Sequence, residues 1–245
     1  MDLDIEGIIS RVTDAVMAEL GNQAAPRCSA SELARTIEHS LLNPDASAEV
    51  IRKGCEDAKK YGFANVCVSP YYTAMAAELL RGSNVAVCVP VGFPHGAAST
   101  KAKCAEIREA IMNGATELDV SMMITAIKSG DFDGMKKDLL EMVSVAGGRA
   151  KVKAIYEQGL LTDNEKVKAL KIAAECGVDY IKISNALTGK KACAEDVKYV
   201  RSVIGGSIGI KIDGGIKDAA KVRELMAAGA QRFGCSASVS IVTGQ

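Results

Sequence analysis

The sequence predicts an α/β protein: a (β/α)8 TIM barrel with an N-terminal amphipathic helix on a tether. Three observations predict it. From residue 31 onward, short apolar runs alternate with amphipathic helical stretches. Eight such runs begin at intervals of roughly 20 to 35 residues, the length of one strand–helix unit. A chain of 245 residues has the size of one such barrel. A doubly wound open sheet uses similar units, but no G-x-G-x-x-G follows the first strand.

Residues 1–20 stand apart. Ile5, Ile8, Ile9, Val12, Val16 and Leu20 fall on one helical stripe, and Asp4, Glu6, Ser10, Arg11, Asp14 and Glu19 on the other face. Residues 21–30 are rich in small residues and include Pro26, which reads as a linker. The domain proper is then 31–245. Its strands are predicted in "TIEHS", "ANVCVSP", "VAVCVPV", "TELDVSM", "KVKAIY", "YIKIS", "GIKID" and "RFGCS". Helices are predicted over 48–60, 101–113, 133–146, 163–175 and 218–228. Gly62, Gly114, Gly177 and Gly229 stand where four of them should end.

The formal net charge is +0 and there is no long basic run, which argues against nucleic acid as the main partner. The eight cysteines form no C-x-x-C pair and no zinc-spaced Cys/His cluster, so no metal is expected. Cys67 and Cys88 sit inside apolar runs and read as reduced thiols used as small core residues, which suits the cytoplasm. No run of about 18 apolar residues is present, so no membrane span is expected. The acidic start (Asp2, Asp4, Glu6) lacks the basic region of a secretory signal.

Four predicted strands carry a charge where a core residue belongs. Successive strand residues point to opposite faces. If Ile181 and Ile183 pack under helices, Lys182 points at the barrel axis, and so does Lys211 between Ile210 and Ile212. The same alternation turns Lys153 and Asp119 inward. Buried charges are costly unless they pair or titrate. One carboxylate cannot neutralise three ammoniums, although Glu117, Glu157 and Asp213 are near in sequence. A lysine beside other cations in a dry site gives up its proton more easily. Bringing one from about 10.4 to near 7 takes roughly 4 kcal/mol. A neutral lysine amine adds to carbonyl groups and forms a Schiff base, whose iminium withdraws electrons and permits cleavage of a nearby C–C bond. Asp119 is placed to move protons. Gly214 and Gly215 after the seventh strand, with Ser236 and Ser238 after the eighth, suit a phosphate on the substrate.

These residues lie in the segments "IEHSLLNPDA", "YGFANVCVSPYY", "VPVGFPHGAASTKAK", "NGATELDV", "EQGLLTDNEKVKA", "VDYIKIS", "GIKIDGGI" and "AGAQRFGCSAS". In order and spacing, residues 31–242 resemble the deoxyribose-phosphate aldolase family, class I aldolases on a (β/α)8 barrel. The resemblance implies that Lys182 forms the Schiff base, that Lys211 perturbs it, and that Asp119 relays protons through water. It implies substrate binding by Lys153, Glu38, Gly214, Gly215 and Ser236, with no cofactor. The implied reaction splits 2-deoxy-D-ribose 5-phosphate reversibly into acetaldehyde and D-glyceraldehyde 3-phosphate. It also implies a homo-oligomer, a dimer or tetramer. Several positions depart from the family pattern. Glu38 and Ser40 replace Asp and Thr, Ile183 and Asn185 remove hydroxyls beside Lys182, Asp213 replaces Ser, and Ala237 replaces the second of two serines. Asp213 is expected to face inward and pair with Lys211. These changes leave open a different phosphorylated aldehyde, or a phosphosugar-binding barrel without turnover. The tethered helix resembles the encapsulation peptides that dock enzymes on the shells of bacterial microcompartments, so a shell protein is an expected partner and the microcompartment lumen an expected location.

Overall fold

The computed structural model describes residues 28–185 and 187–244. The helix expected over 1–20 lies outside the described residues. The described residues begin inside the expected linker. Ser29 forms a capping box with Glu32 and starts α1 (Ala30–Ala34), because Leu33 and Ala34 are buried. Then follow β1 (Ile37–Leu41), α2 (Ala48–Tyr61), β2 (Asn65–Val68), α3 (Thr73–Leu79), β3 (Ala86–Val91), α4 (Thr100–Met112), β4 (Glu117–Ser121), α5 (Ile124–Lys128) and α6 (Phe132–Ala146). The second half holds β5 (Lys151–Glu157), α7 (Asp163–Glu175), β6 (Tyr180–Ser184), α8 (Ala194–Ile204), β7 (Gly209–Asp213), α9 (Ala219–Ala227), β8 (Arg232–Cys235) and α10 (Ser238–Thr243).

The strands form a closed barrel in chain order, β1 through β8, and β8 pairs in parallel with β1. All eight predicted strands are present. The five predicted helices are present to within one residue at each end. Helices α1, α3, α5, α8 and α10 are not among those predicted; α1, α5 and α10 are too short to show a helical stripe. Helix boundaries follow local chemistry. Ser47 accepts a bond from the Val50 amide at the start of α2, and Gly62 ends it in the left-handed region at φ 72°. Thr162 and Glu165 make a capping box at the start of α7.

The alternation along β6 and β7 sorts their side chains into two layers. Ile181, Ile183, Ile210 and Ile212 are fully buried between barrel and helices. Each contributes about 1.5–3 kcal/mol through burial. Lys182 and Lys211 alternate with them, and the register sets the two lysines side by side. On the adjacent pair, Asp119 stands beside Lys153. The axis of the barrel therefore holds charges, and the main hydrophobic core is the annulus around it.

Candidate active site

Three lysines meet on one carboxylate at the centre of the barrel. Lys182 Nζ lies 2.9 Å from Asp119 Oδ2 and 3.0 Å from Asp213 Oδ2. Lys211 Nζ bonds Asp119 Oδ2 at 2.6 Å and also bonds Glu38. Lys153 Nζ is 2.6 Å from Glu117, 3.0 Å from Glu38 and 3.2 Å from Asp119. Arg232, at the start of β8, completes the network from the N-terminal end, 3.3 Å from Glu117 and 3.7 Å from Glu38.

Glu38, Glu117, Asp119 and Asp213 thus face Lys153, Lys182, Lys211 and Arg232, and the charges balance. This corrects the expected neutral lysine. Burial alone would lower the pKa of Lys182, but Asp119 and Asp213 more than reverse it and hold the group well above the ordinary lysine range. Lys153 is raised in the same way, against burial, by Asp119 and its neighbours. Lys211 is raised by Asp119 and Glu38. Asp119 would be raised by burial, yet its three lysines hold it well below the usual carboxylate range. Glu38 responds likewise: Lys153 and Lys211 overcome burial and hold it at about 2. Counting cations on neighbouring strands missed Glu38, which reaches the same centre from β1.

The remaining predicted residues separate into two groups. Glu38 and Lys153, expected to bind substrate, are both 0% exposed and engaged with each other. Lys153 contacts Asp119 and Glu38 bonds Lys211, so the two hold those residues in place. Asp213 does face inward, but it pairs with Lys182 and not with the expected Lys211, because Glu38 and Asp119 already occupy Lys211. Gly214 and Gly215 follow β7 with φ of 114° and 68°, a turn that suits glycine. The Gly214 carbonyl accepts a 2.9 Å bond from the Ala192 amide. A Cβ on Gly215 would lie 3.4 Å from Lys191 Cγ, so the 187–192 loop lies along this turn. Ser236 is exposed after β8 and lines a cavity of about 330 Å³ with Ser40, Asn43 and Asp45.

Some residues escaped notice in the sequence. Phe93, in the loop after β3, has its ring 5.8 Å from Lys182 Nζ and is 39% exposed, so it covers the lysine at the barrel mouth. It also lines a cavity of about 470 Å³ with Pro90, Gly92 and His95. Asn185 is buried, its Oδ1 accepts from Gln158 at 3.3 Å, and its Nδ2 has no hydrogen-bond partner among the described residues. Only the loop's departure from the family pattern pointed toward it. Cys67, Cys88 and Asp119 bring donor atoms within 4.8 Å of one another, as do Glu38, Cys88 and Glu117. The Lys153 ammonium, 3.4 Å from Cys88 Sγ, already supplies the positive charge between those donors. A larger cavity of about 800 Å³ lies outside the barrel between α4 and α6, lined by Lys101, Arg108, Lys136 and Leu140, and holds none of the inward charges.

A family model described as DeoC/LacD family aldolase matches residues 34–241. The chain belongs to the DeoC/LacD aldolase family. Among curated relatives, the deoxyribose-phosphate aldolase of Brevibacillus brevis is 45% identical over 208 residues, which is 85% of this chain and 94% of that protein. The deoxyribose-phosphate aldolase of a Geobacillus species is 44% identical over 215 residues, covering 88% and 96%. Among solved structures, the tetrameric deoxyribose phosphate aldolase of Aeropyrum pernix superposes with a TM-score of 0.82 at 28% identity, covering 88% of this chain and 92% of that one. As a DeoC/LacD aldolase the chain is a carbon–carbon lyase on a TIM barrel. Among the described residues no helix is long and apolar enough to cross a membrane.

Proposed function

We propose that the chain cleaves 2-deoxy-D-ribose 5-phosphate reversibly into acetaldehyde and D-glyceraldehyde 3-phosphate through a Schiff base at Lys182. The observation that carries this is the position of Lys182 Nζ, held between Asp119 and Asp213 at the mouth of the barrel under Phe93. In the open-chain sugar, Lys182 adds to the aldehyde carbon and loses water to give an iminium ion. A base removes the proton of the hydroxyl on the third carbon. The bond between the second and third carbons then breaks, and its electron pair moves toward the iminium nitrogen to leave an enamine. Glyceraldehyde 3-phosphate departs. The enamine takes a proton at its terminal carbon, and water releases acetaldehyde.

Asp119 relays protons through water, and Lys211 keeps Asp119 ionised beside the reacting nitrogen. Lys153 and Glu38 act as positioning residues. Gly214, Gly215 and Ser236 receive the phosphate, where the turn exposes backbone amides. Lys191 and Asn185 border the same turn. The residues themselves balance every step, with no cofactor.

Borohydride reduction in the presence of substrate tests the reading. A covalent adduct on Lys182, absent in Lys182→Met, is expected. An adduct on no lysine refutes the aldol mechanism and favours a binding barrel without turnover. Asp213, beside the phosphate turn, favours one second reading: the same chemistry on a different aldehyde. Coupled assays over a panel of sugar phosphates separate the two.

We further assign residues 1–20 to an amphipathic shell-docking helix, 21–30 to its tether and 31–245 to the catalytic barrel, in a dimeric or tetrameric enzyme of the cytoplasm or a microcompartment lumen. The acidic polar face favours a protein groove over an anionic membrane. Deleting residues 1–25 should leave turnover intact and abolish shell association. Loss of the fold or the oligomer on deletion would make the segment structural.

A further inference from the structure

Lys182 has two carboxylates, and they are not equivalent. Asp119 is fully buried and contacts Lys153, Lys182 and Lys211, and it accepts the Cys88 thiol at 3.2 Å. A proton placed on Asp119 would weaken three ion pairs at once. Asp213 contacts Lys182 at 3.0 Å, and Lys182 is its sole ion-pair partner among the described residues. Its side chain is 24% exposed, whereas that of Lys182 is 4% exposed. A proton on Asp213 weakens one ion pair and can exchange with water.

We infer that Asp213 is a catalytic acid–base residue that exchanges protons with Lys182 as the Schiff base forms and is hydrolysed. The inference rests on the proposed role of Lys182 as nucleophile. The resting ammonium gives one proton to the Asp213 carboxylate and becomes a neutral amine. Its lone pair attacks the carbonyl carbon, the carbonyl π pair moves to oxygen, and a proton passes from nitrogen to that oxygen to give the carbinolamine. Asp213 then returns its proton to the hydroxyl, which leaves as water while the nitrogen lone pair forms the C=N bond. Ammonium plus aldehyde thus becomes iminium plus water, and Asp213 ends as it began. The iminium restores positive charge 3.0 Å from the carboxylate, so the pairing that holds the resting lysine also favours loss of water.

The groups around Asp213 leave it this task. Lys211, on its own strand, is taken by Glu38 and Asp119. On β8 its neighbours are Gly234, close enough that an added Cβ would lie 2.9 Å from Asp213 Cβ, and the Cys235 thiol, which Asp213 and above all burial push up to about 12. From β6 it meets Lys182.

The test measures imine formation at Lys182 with acetaldehyde, which carries no phosphate and so isolates this step from phosphate binding. Quenched borohydride reduction gives the rate for the wild type and for Asp213→Asn, Asp213→Glu and Asp213→Ala. Asn should slow imine formation by about 10²-fold, the scale of general acid–base catalysis, and Glu should retain most of the rate. Added formate should restore Asp213→Ala in proportion to its concentration and leave the wild type unchanged. Imine formation in Asp213→Asn at the wild-type rate or faster, or no rescue by formate, overturns the role of Asp213 alone. Absence of a Lys182 adduct in the wild type overturns the nucleophile reading and this inference with it.

Discussion

Replacing Glu38 with Gln removes one charge from the centre of the barrel and changes almost no volume. Glu38 bonds Lys153 at 3.0 Å and Lys211, with no solvent exposure. The substitution leaves Lys153, Lys182, Lys211 and Arg232 facing only Glu117, Asp119 and Asp213. Breaking a buried pair from one side leaves an uncompensated charge and costs about 3–5 kcal/mol. A second route gives a similar size. The Glu38 carboxyl sits at about 2 against an ordinary 4.5, a difference of about 3 kcal/mol between its two protonation states. The sign follows from the direction. A depressed carboxylate contributes stability that is complete above pH 4.5 and is lost as pH falls toward 2. Urea unfolding at pH 7 and fixed protein concentration should show Glu38→Gln destabilised by about 3–5 kcal/mol, or roughly 6–20 °C in melting temperature. Adding Lys153→Met restores the balance of charges and should recover at least half of the loss. A single variant that loses under about 1 kcal/mol, or a double variant no better than the single, would refute the balanced network.

Two further outcomes test other parts of the molecule. Lys103 and Asp138 form a fully buried pair at 2.6 Å between α4 and α6; Lys103→Met should cost about 3–5 kcal/mol in urea unfolding, and adding Asp138→Leu should recover most of it. Gly96 has φ of 64° and its added Cβ would fall 2.0 Å from the Met122 carbonyl oxygen; Gly96→Ala should therefore lose more than about 2 kcal/mol in thermal unfolding, while Gly130→Ala, with open space at φ 73°, should lose about 1 kcal/mol.

The barrel was legible because its strands announce themselves locally. Ile181, Ile183, Ile210 and Ile212 repeat every second residue, and that period assigns both face and element without reference to any other strand. The helices were legible where a stripe and a terminal glycine coincide, as in α2. They were not legible in α5 and α10, which are shorter than the repeat that would reveal them. The candidate site was half legible. Its lysines interrupt apolar runs and so stand out, whereas Phe93 is an ordinary loop residue whose approach to Lys182 depends on how the loop after β3 reaches across to β6.

By itself the sequence determined the closed eight-strand architecture, the inward direction of Asp119, Lys153, Lys182 and Lys211, and membership of an aldolase family. The architecture and the inward directions depend on alternation and spacing along the chain, and the family membership on the resemblance of its segments. The partners of the charges were decided only by tertiary structure. Glu38 reaches Lys211 from 173 positions away because closure brings β1 back beside β8. Asp213 pairs with Lys182 because Lys211 already has two carboxylates. Protonation follows from the same cause: inward direction is a property of one strand, but the charge state of Lys182 depends on what every other strand points at it.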